Sequence, residues 1–417
     1  MMSLLSDSVR AEIAKCNRCG FCQAACPVYR ITGREAATAR GHNAHLTAVV
    51  EGAIALDRDL GSPMNECLLC RACTAHCPPA IRSDVVVIGA RAALASGGLS
   101  VLKRIVFRRL LPEPRRLTRW VRLVAAAKRT RLSEAAKLLA WLPGVGRGMS
   151  AAAEMMPGGN EFLRDRLARL ELRPPRPRGR VIYFVGCGLN FALPGAGEAT
   201  LRLLAACGYE VAVPENFCCG LPPHVYGDLE AARLLARRNL DLLGRLEGEA
   251  IITDCASCSA FLKKYPELLA GDPAHSQAQR LAERVRDLTE FLAQVDLPNL
   301  PIRRRVAEVS VTYHDPCHLS RYQDLRRQPR ELLKAVSGIA YRELPEADWC
   351  CGGAGTYALA HAELSQKILD RKMRNVKKTG AQVVVAPCPS CILQLSFGAK
   401  RHRLPVKVKH LSEVLLG

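Results

Sequence analysis

The stretch NFCCG, Asn216 to Gly220, sets two adjacent cysteines before a glycine, and DWCCG, Asp348 to Gly352, does so again. The pairs belong to larger sets. Cys187, Cys218, Cys219, Cys255 and Cys258 recur as Cys317, Cys350, Cys351, Cys388 and Cys391, at offsets of 130, 132, 132, 133 and 133 residues. Five offsets that agree within three residues mark a duplicated module. Cys207 alone in this half lacks a counterpart.

Each copy reads as α/β. VIYFVGC (Val181 to Cys187) and VSVTYHDPC (Val309 to Cys317) are β-rich runs ending at a cysteine, as are AIITDC (Ala250 to Cys255) and QVVVAPC (Gln382 to Cys388). Helical patterns such as GDLEAARLLARRNLDLLGRL and HAELSQKILDRKMRNVKK lie between them. Such alternation predicts a mainly parallel sheet with helices on its faces. Functional loops of these sheets gather at the carboxyl ends of strands, where the first and fourth cysteines of each copy fall.

Two further runs precede this half. CNRCGFCQAACP supplies Cys16, Cys19, Cys22 and Cys26, and CLLCRACTAHCP supplies Cys67, Cys70, Cys73 and Cys77. Both are C-x2-C-x2-C-x3-C-P, the bacterial ferredoxin pattern, in which the fourth cysteine reaches the other cluster. The expected ligand sets are Cys16, Cys19, Cys22 and Cys77 for one 4Fe–4S cubane, and Cys67, Cys70, Cys73 and Cys26 for the other. Zinc sites use two C-x2-C pairs rather than this run. The 40 residues between the runs predict a helix or two, one near Ala37 to Ile54. His42, His45 and His76 lie nearby and are assigned no ligand role.

The chain has 417 residues, 19 cysteines and a net charge of +21. No apolar run approaches the ~18 residues of a membrane span, and the start lacks a basic n-region and a sustained apolar stretch. A cytoplasmic chain is expected, where thiols stay reduced and clustered cysteines bind metal. Residues 101–180 carry 20 basic and 6 acidic side chains, so two thirds of the excess charge sits there. This is not the pattern of a uniformly basic nucleic-acid binder. In Val101 to Arg131, Leu117, Trp120, Val121 and Val124 share one helical face, with Arg115, Arg116, Arg119 and Arg122 mostly opposite. An acidic partner, an anionic membrane surface (the inner face of the cell membrane) or a solvated helix packed across domains all fit this pattern.

Adjacent cysteines do not both suit corners of one small tetrahedral zinc site. Five soft thiolates per copy fit iron–sulfur better, while zinc or an empty site in one module stays open. Gly220, Gly352 and Gly353 let the backbone pass close to a metal. His314 and His318 flank Cys317, and His224 follows the first pair. A structural role, or a hydrogen bond to a cluster sulfur, is open to each. The apolar surroundings of Cys207 predict a buried, inert thiol.

These modules resemble the cysteine-rich CCG domains of heterodisulfide reductase and of anaerobic glycerol-3-phosphate dehydrogenase. Two ferredoxin runs followed by two such modules resemble the iron–sulfur subunits of glycolate oxidase and other FAD-linked 2-hydroxyacid dehydrogenases. YHDPCHLSRYQDLRRQPRELL (Tyr313 to Leu333) and CCGGAGTYAL (Cys350 to Leu359) look most like that branch. CASC and CPSC are complete in both copies, which is closer to heterodisulfide reductase, whose five-cysteine modules bind non-cubane 4Fe–4S clusters. The resemblance implies an α+β/α/β multidomain chain. Residues 1–95 would form a helical ferredoxin-like domain with two cubanes and 96–180 a basic helical linker. Residues 181–300 and 301–417 would be a pair of Rossmann-like modules with one or two further clusters. It also implies an electron-transfer subunit of an oxidoreductase complex, with FAD on a partner dehydrogenase subunit and an acceptor such as quinone. The absence of G-x-G-x-x-G after a strand agrees with flavin on another chain. The alternatives are direct reduction of a disulfide or quinone at a CCG cluster, and a zinc-bound scaffold.

Overall fold

A computed structural model of the chain describes residues 5–129, 161–295 and 308–417. The helical pattern expected over residues 130–160, including Arg131, lies outside the described residues.

Residues 5–129 are helical, with no strand among the described residues. Helices Asp7–Ala14, Ala39–Val50, Arg58–Asn65 and Ser83–Ser96 surround a core of Val9, Ile13, Leu46, Met64, Leu69, Val86 and Val87. The insertion between the cysteine runs supplies two of these helices. Thr38 caps the first by accepting from the Gly41 N–H, and Asp57 caps the second by accepting from the Leu60 N–H.

The remaining described residues carry two four-stranded sheets. In the first, β1 (Gly179–Tyr183), β2 (Tyr209–Ala212), β3 (Ala250–Thr253) and β4 (Val285–Asp287) lie in the order β2-β1-β3-β4. In the second, β5 (Val309–Tyr313), β6 (Ile339–Arg342), β7 (Val383–Val385) and β8 (Lys407–Lys409) repeat it as β6-β5-β7-β8. Every pairing is parallel. The central strands β3 and β7 are buried end to end, as sheets covered on both faces require. Helices Pro194–Ala206 and Leu229–Leu243 cross over in the first unit, and Arg327–Ala335 and Ala362–Thr379 in the second.

The two units share one core. Val181, Tyr183, Leu201 and Phe291 of the first pack with Val311, Tyr313, Leu332 and Leu411 of the second. The Ala256 N–H donates to the Pro387 carbonyl at 3.1 Å, and His410 Nε2 lies 2.8 Å from the Asp254 carbonyl.

The strand order makes β1/β3 and β5/β7 the switch points, since β2 and β6 lie on the opposite side of the first strand. Ligands of such sheets sit beyond the carboxyl ends there. Cys187 follows β1, Cys255 follows β3, Cys317 follows β5 and Cys388 follows β7.

The basic segment forms helix Val101–Ile105, continues through a wide helical turn, and resumes as Pro114–Arg129. Phe107 and Leu111 anchor it in the core of the first sheet unit, and Arg108 donates to both carboxylate oxygens of Asp228 at 3.0 and 3.1 Å. The expected apolar face divides. Leu117 and Val121 are half-buried, whereas Trp120 and Val124 face solvent with Leu123. The reason is geometric: the helix touches the body along one narrow line, which cannot cover all four side chains. Among the described residues no single helix is long and apolar enough to cross a membrane.

Candidate metal centres

Three thiols of each ferredoxin-type run are drawn together by left-handed turns. In the first, Arg18 and Gly20 have φ of 54° and 84°; in the second, Leu69 and Arg71 have 54° and 56°. Cys16, Cys19, Cys22 and Cys77 line one cavity with Asn17, Arg40 and Ile81. Cys73 lines the same cavity. Burial pushes the Cys22 thiol up against a backbone hydrogen bond, and Cys16, Cys19 and Cys77 add to the effect.

Cys26 opens helix Pro27–Thr32 and leaves its own run. It lies with Cys67 and Cys70, and Cys73 faces the same three. Burial raises Cys26 to about 12 and Cys67 to about 11. Cys26, Cys67 and Cys73, crowded in this way, ionise readily only when a cation arrives, and four thiols gathered in each set fit a metal cluster.

In the first sheet unit the thiols form a series of side-chain contacts: Cys187 with Cys218, Cys218 with Cys219, Cys219 with Cys258, and Cys258 with Cys255. Gly220 turns the chain after the pair at φ 95°, and a Cβ there would lie 3.2 Å from the Ala232 carbonyl. Three residues not singled out in the sequence hold this loop. Asn216 accepts from the Val185 N–H and donates to the Val185 carbonyl, both at 3.0 Å. Asn239 donates to the Cys218 carbonyl at 3.0 Å, and the Tyr265 hydroxyl donates to the Cys219 carbonyl at 2.7 Å.

The second unit brings Cys317, Cys350, Cys351, Cys388 and Cys391 together in the same way. Gly352 has φ 82°, and a Cβ there would lie 2.7 Å from the Ser365 carbonyl. Lys372, fully buried, stands where the first unit has Asn239, and its ammonium donates to the Ala347 carbonyl at 3.0 Å. A ring nitrogen of His314 and the Cys351 and Cys391 sulfurs lie within 4.8 Å of one another. Burial drives His314 down to about 3, so its ring is neutral. His318 Nδ1 lies 3.6 Å from the Cys317 sulfur, and its ring stacks on Tyr322. His224 packs on the Phe261 ring, while His42 and His76 bond backbone carbonyls at 3.2 and 2.9 Å. Cys207 is buried in an apolar core away from both sets, and burial pushes it to about 12.

Three of the four sets are joined by thiol contacts. Cys70 of the second ferredoxin-type run contacts Cys350, and Cys255 contacts Cys388. Two polar seams hold this arrangement, neither visible as a motif. Buried Arg91 donates to the Met64, Cys67 and Val225 carbonyls, each at 2.8 Å. Asp84 pairs with Arg71 and Lys264 at 2.8 and 2.7 Å. Tyr322 and Tyr357 hydroxyls donate to the Leu69 and Glu66 carbonyls at 2.8 and 3.0 Å.

Comparison with known families agrees with this geometry. Residues 12–81 match the 4Fe-4S dicluster domain, and residues 181–263 and 311–396 each match the cysteine-rich CCG domain. The chain is 33% identical to the probable glycolate oxidase iron-sulfur subunit of Bacillus subtilis, over 97% of this chain and 94% of that protein. The chain belongs to the glycolate oxidase iron–sulfur subunit family. The Escherichia coli glycolate oxidase iron-sulfur subunit is similar at 28% identity, over 99% of this chain and 95% of its own. Lactate utilization protein A of Bacillus pumilus is 32% identical over 57% of this chain and 98% of its own. Membership in this family makes the chain an iron–sulfur protein of the oxidoreductase class.

Proposed function

We propose that the chain is the electron-transfer subunit of a flavin-dependent 2-hydroxyacid dehydrogenase complex acting on glycolate or D-lactate. The observation that carries this reading is the run of thiol contacts from Cys70 through Cys350, Cys351 and Cys391 to Cys388 and Cys255, with Cys73 lining the cavity of the Cys16 set. Cys16, Cys19, Cys22 and Cys77 would hold one cubane, and Cys26, Cys67, Cys70 and Cys73 the second. Each five-cysteine set would hold a further cluster. Such centres supply one-electron transfer. The chain's own residues set their spacing, and the eight thiols of the paired and C-x2-C motifs of the two sheet units are all buried, whereas Cys19 and Cys187 are exposed.

FAD sits on a separate dehydrogenase chain, and the acceptor is a quinone. The basic segment carries the chain to the inner face of the cell membrane. Trp120 and Leu123 stand out from helix Pro114–Arg129, 54% and 63% exposed, beside exposed Arg115, Arg116 and Arg119. Apolar side chains interleaved with cations suit an anionic lipid surface, such as that of the cytoplasmic leaflet.

The test is anaerobic purification alone and with the FAD-linked partner, followed by assay with glycolate or D-lactate and a quinone. Hydroxyacid-dependent quinone reduction only with both chains present supports the relay. The complete C-x2-C pairs favour a second reading, in which a five-cysteine centre itself reduces a disulfide or quinone. Turnover from a reduced dye donor without any flavoprotein would establish that reading and end the pure relay.

A further inference from the structure

The two modules are duplicates in backbone but not in what faces their thiols. Phe184 and His314 occupy the same place. Each is the first residue beyond its strand, β1 and β5 respectively, and each donates its N–H to the neighbouring parallel strand, Phe184 to Ile252 at 2.8 Å and His314 to Val385 at 3.0 Å. In the first unit Phe184 is fully buried in the core that includes Cys218, Cys219, Cys255 and Cys258. An apolar ring there asks for nothing further.

In the second unit an imidazole fills that position. His314 is 1% exposed, and neither ring nitrogen has a hydrogen-bond partner. Its polar neighbours are already engaged. Asp315 receives both arms of Arg330 at 2.9 and 2.8 Å, and the Lys372 ammonium is spent on the Glu346 and Ala347 carbonyls. A buried polar side chain without a partner is costly and uncommon. What the ring does face is Cys351 and Cys391, close enough that one nitrogen and both sulfurs could bind a common ion. Among the described residues, the equivalent thiols Cys219 and Cys258 have no such nitrogen.

We propose that an imidazole nitrogen of His314 coordinates the metal centre of the second module directly. The twin modules then hold chemically different centres, all-sulfur in the first and sulfur plus imidazole in the second. A neutral nitrogen ligand adds no negative charge, so it differs from a sixth thiolate in its effect on the centre. This inference rests on the proposed metal loading of both modules, and its test separates the two.

The full chain is prepared anaerobically with 15N-histidine and counted for iron and zinc. Pulsed EPR on the poised centres then reads nitrogen coupling. The expected result is a strong, directly bonded histidine nitrogen that is lost in His314→Phe, the residue the first module carries, and kept in His318→Asn. If the second module holds zinc, absorption at the zinc edge reads the same ligand, and a sulfur-only shell overturns the proposal. A full iron count without bonded histidine nitrogen, or coupling that persists in His314→Phe, also overturns it. Should His314→Phe fail to load, loss of the coupling in His318→Asn overturns it and retention supports it. Absence of any metal from the second module removes the loading itself and shows as such in the counts.

Discussion

The Cys70 thiol contacts the Cys350 thiol, so the second ferredoxin-type set meets the thiols of the second sheet unit, although the first unit precedes it in the chain. The Cys255–Cys388 contact then joins the second unit to the first. Spatial order therefore departs from chain order, and the Cys187 set lies at the far end of the series.

This order predicts unequal effects of two similar substitutions. Cys187→Ser should remove about four of about 16 irons and leave reduction of the other centres intact, by cluster arithmetic. Cys350→Ser should also leave the Cys187 set oxidised when both ferredoxin-type centres are reduced. Freeze-quenched EPR after mixing with a low-potential donor reads the difference. Equal isolation of the Cys187 set in both variants would contradict the order.

Arg91 ties the loop before Cys67 to the first sheet unit through three carbonyls. Arg91→Met keeps the aliphatic bulk but strands those acceptors, at about 1–3 kcal/mol for the buried groups left unpaired. Arg91→Lys should rescue only part, because an ammonium lacks the planar fork. The urea midpoint and the rate of proteolytic nicking between the helical part and the sheets report the change.

Asp84 gives a pH dependence of fixed sign. Burial works against its charge, yet Lys264 and Arg71 outweigh it and hold the carboxyl well below the usual carboxylate range. A folded value below the unfolded ~3.9 contributes stability that is fully present above about pH 4. That contribution is lost as pH falls through the folded value, and no loss from this group is expected between pH 5 and 8. Asp84→Asn should cost about 3 kcal/mol at neutral pH, the lower end of the range for a buried pair because Arg71 and Lys264 are only partly buried, and should flatten the acid limb of the stability profile. An unchanged acid limb would assign that limb to other carboxylates.

The two glycines after the cysteine pairs should not tolerate alanine equally. Both have positive φ, which costs about 1–3 kcal/mol for a residue with a Cβ. Gly352→Ala adds a contact at 2.7 Å with the Ser365 carbonyl, against 3.2 Å with the Ala232 carbonyl for Gly220→Ala. Denaturation midpoints should fall further for Gly352→Ala, and metal content of the second module should fall with them.

Reversal of charge on the exposed helix tests the membrane reading. Each of Arg115, Arg116 and Arg119 changed to Glu should weaken binding to phosphatidylserine-containing vesicles by about 1 kcal/mol or more, from the loss of one basic residue near the surface. Trp120 fluorescence should shift to the blue on binding and lose that shift in the triple variant. Undiminished vesicle binding in the triple variant would refute the assignment.

Much of this was legible in the sequence because thiol chemistry is written in spacing. The ferredoxin-type runs and the fivefold offsets between Cys187 and Cys391 are local or periodic signals, and the structure gathers each set of thiols they name. The strands that precede Cys187, Cys255, Cys317 and Cys388 were readable because buried parallel strands need unbroken β-branched runs. The outer strands at Tyr209–Ala212, Ile339–Arg342, Val285–Asp287 and Lys407–Lys409 were not, because edge strands mix polar and apolar residues. Trp120 illustrates a different limit: periodicity gives a helix its apolar face but does not say how much of that face finds a partner.

Only the tertiary structure decided how the sets adjoin. Cys70 and Cys350 are separated by most of the chain, and nothing in either run encodes their meeting. It follows from the docking of a helical unit through Arg91, Asp84 and Tyr322, whose contacts no spacing in the sequence encodes. The same holds for His314. In the sequence it is one histidine beside Cys317. In the fold it replaces a core phenylalanine of the twin module and turns toward Cys351 and Cys391, because the strand end that buries it leaves its nitrogens no other partner.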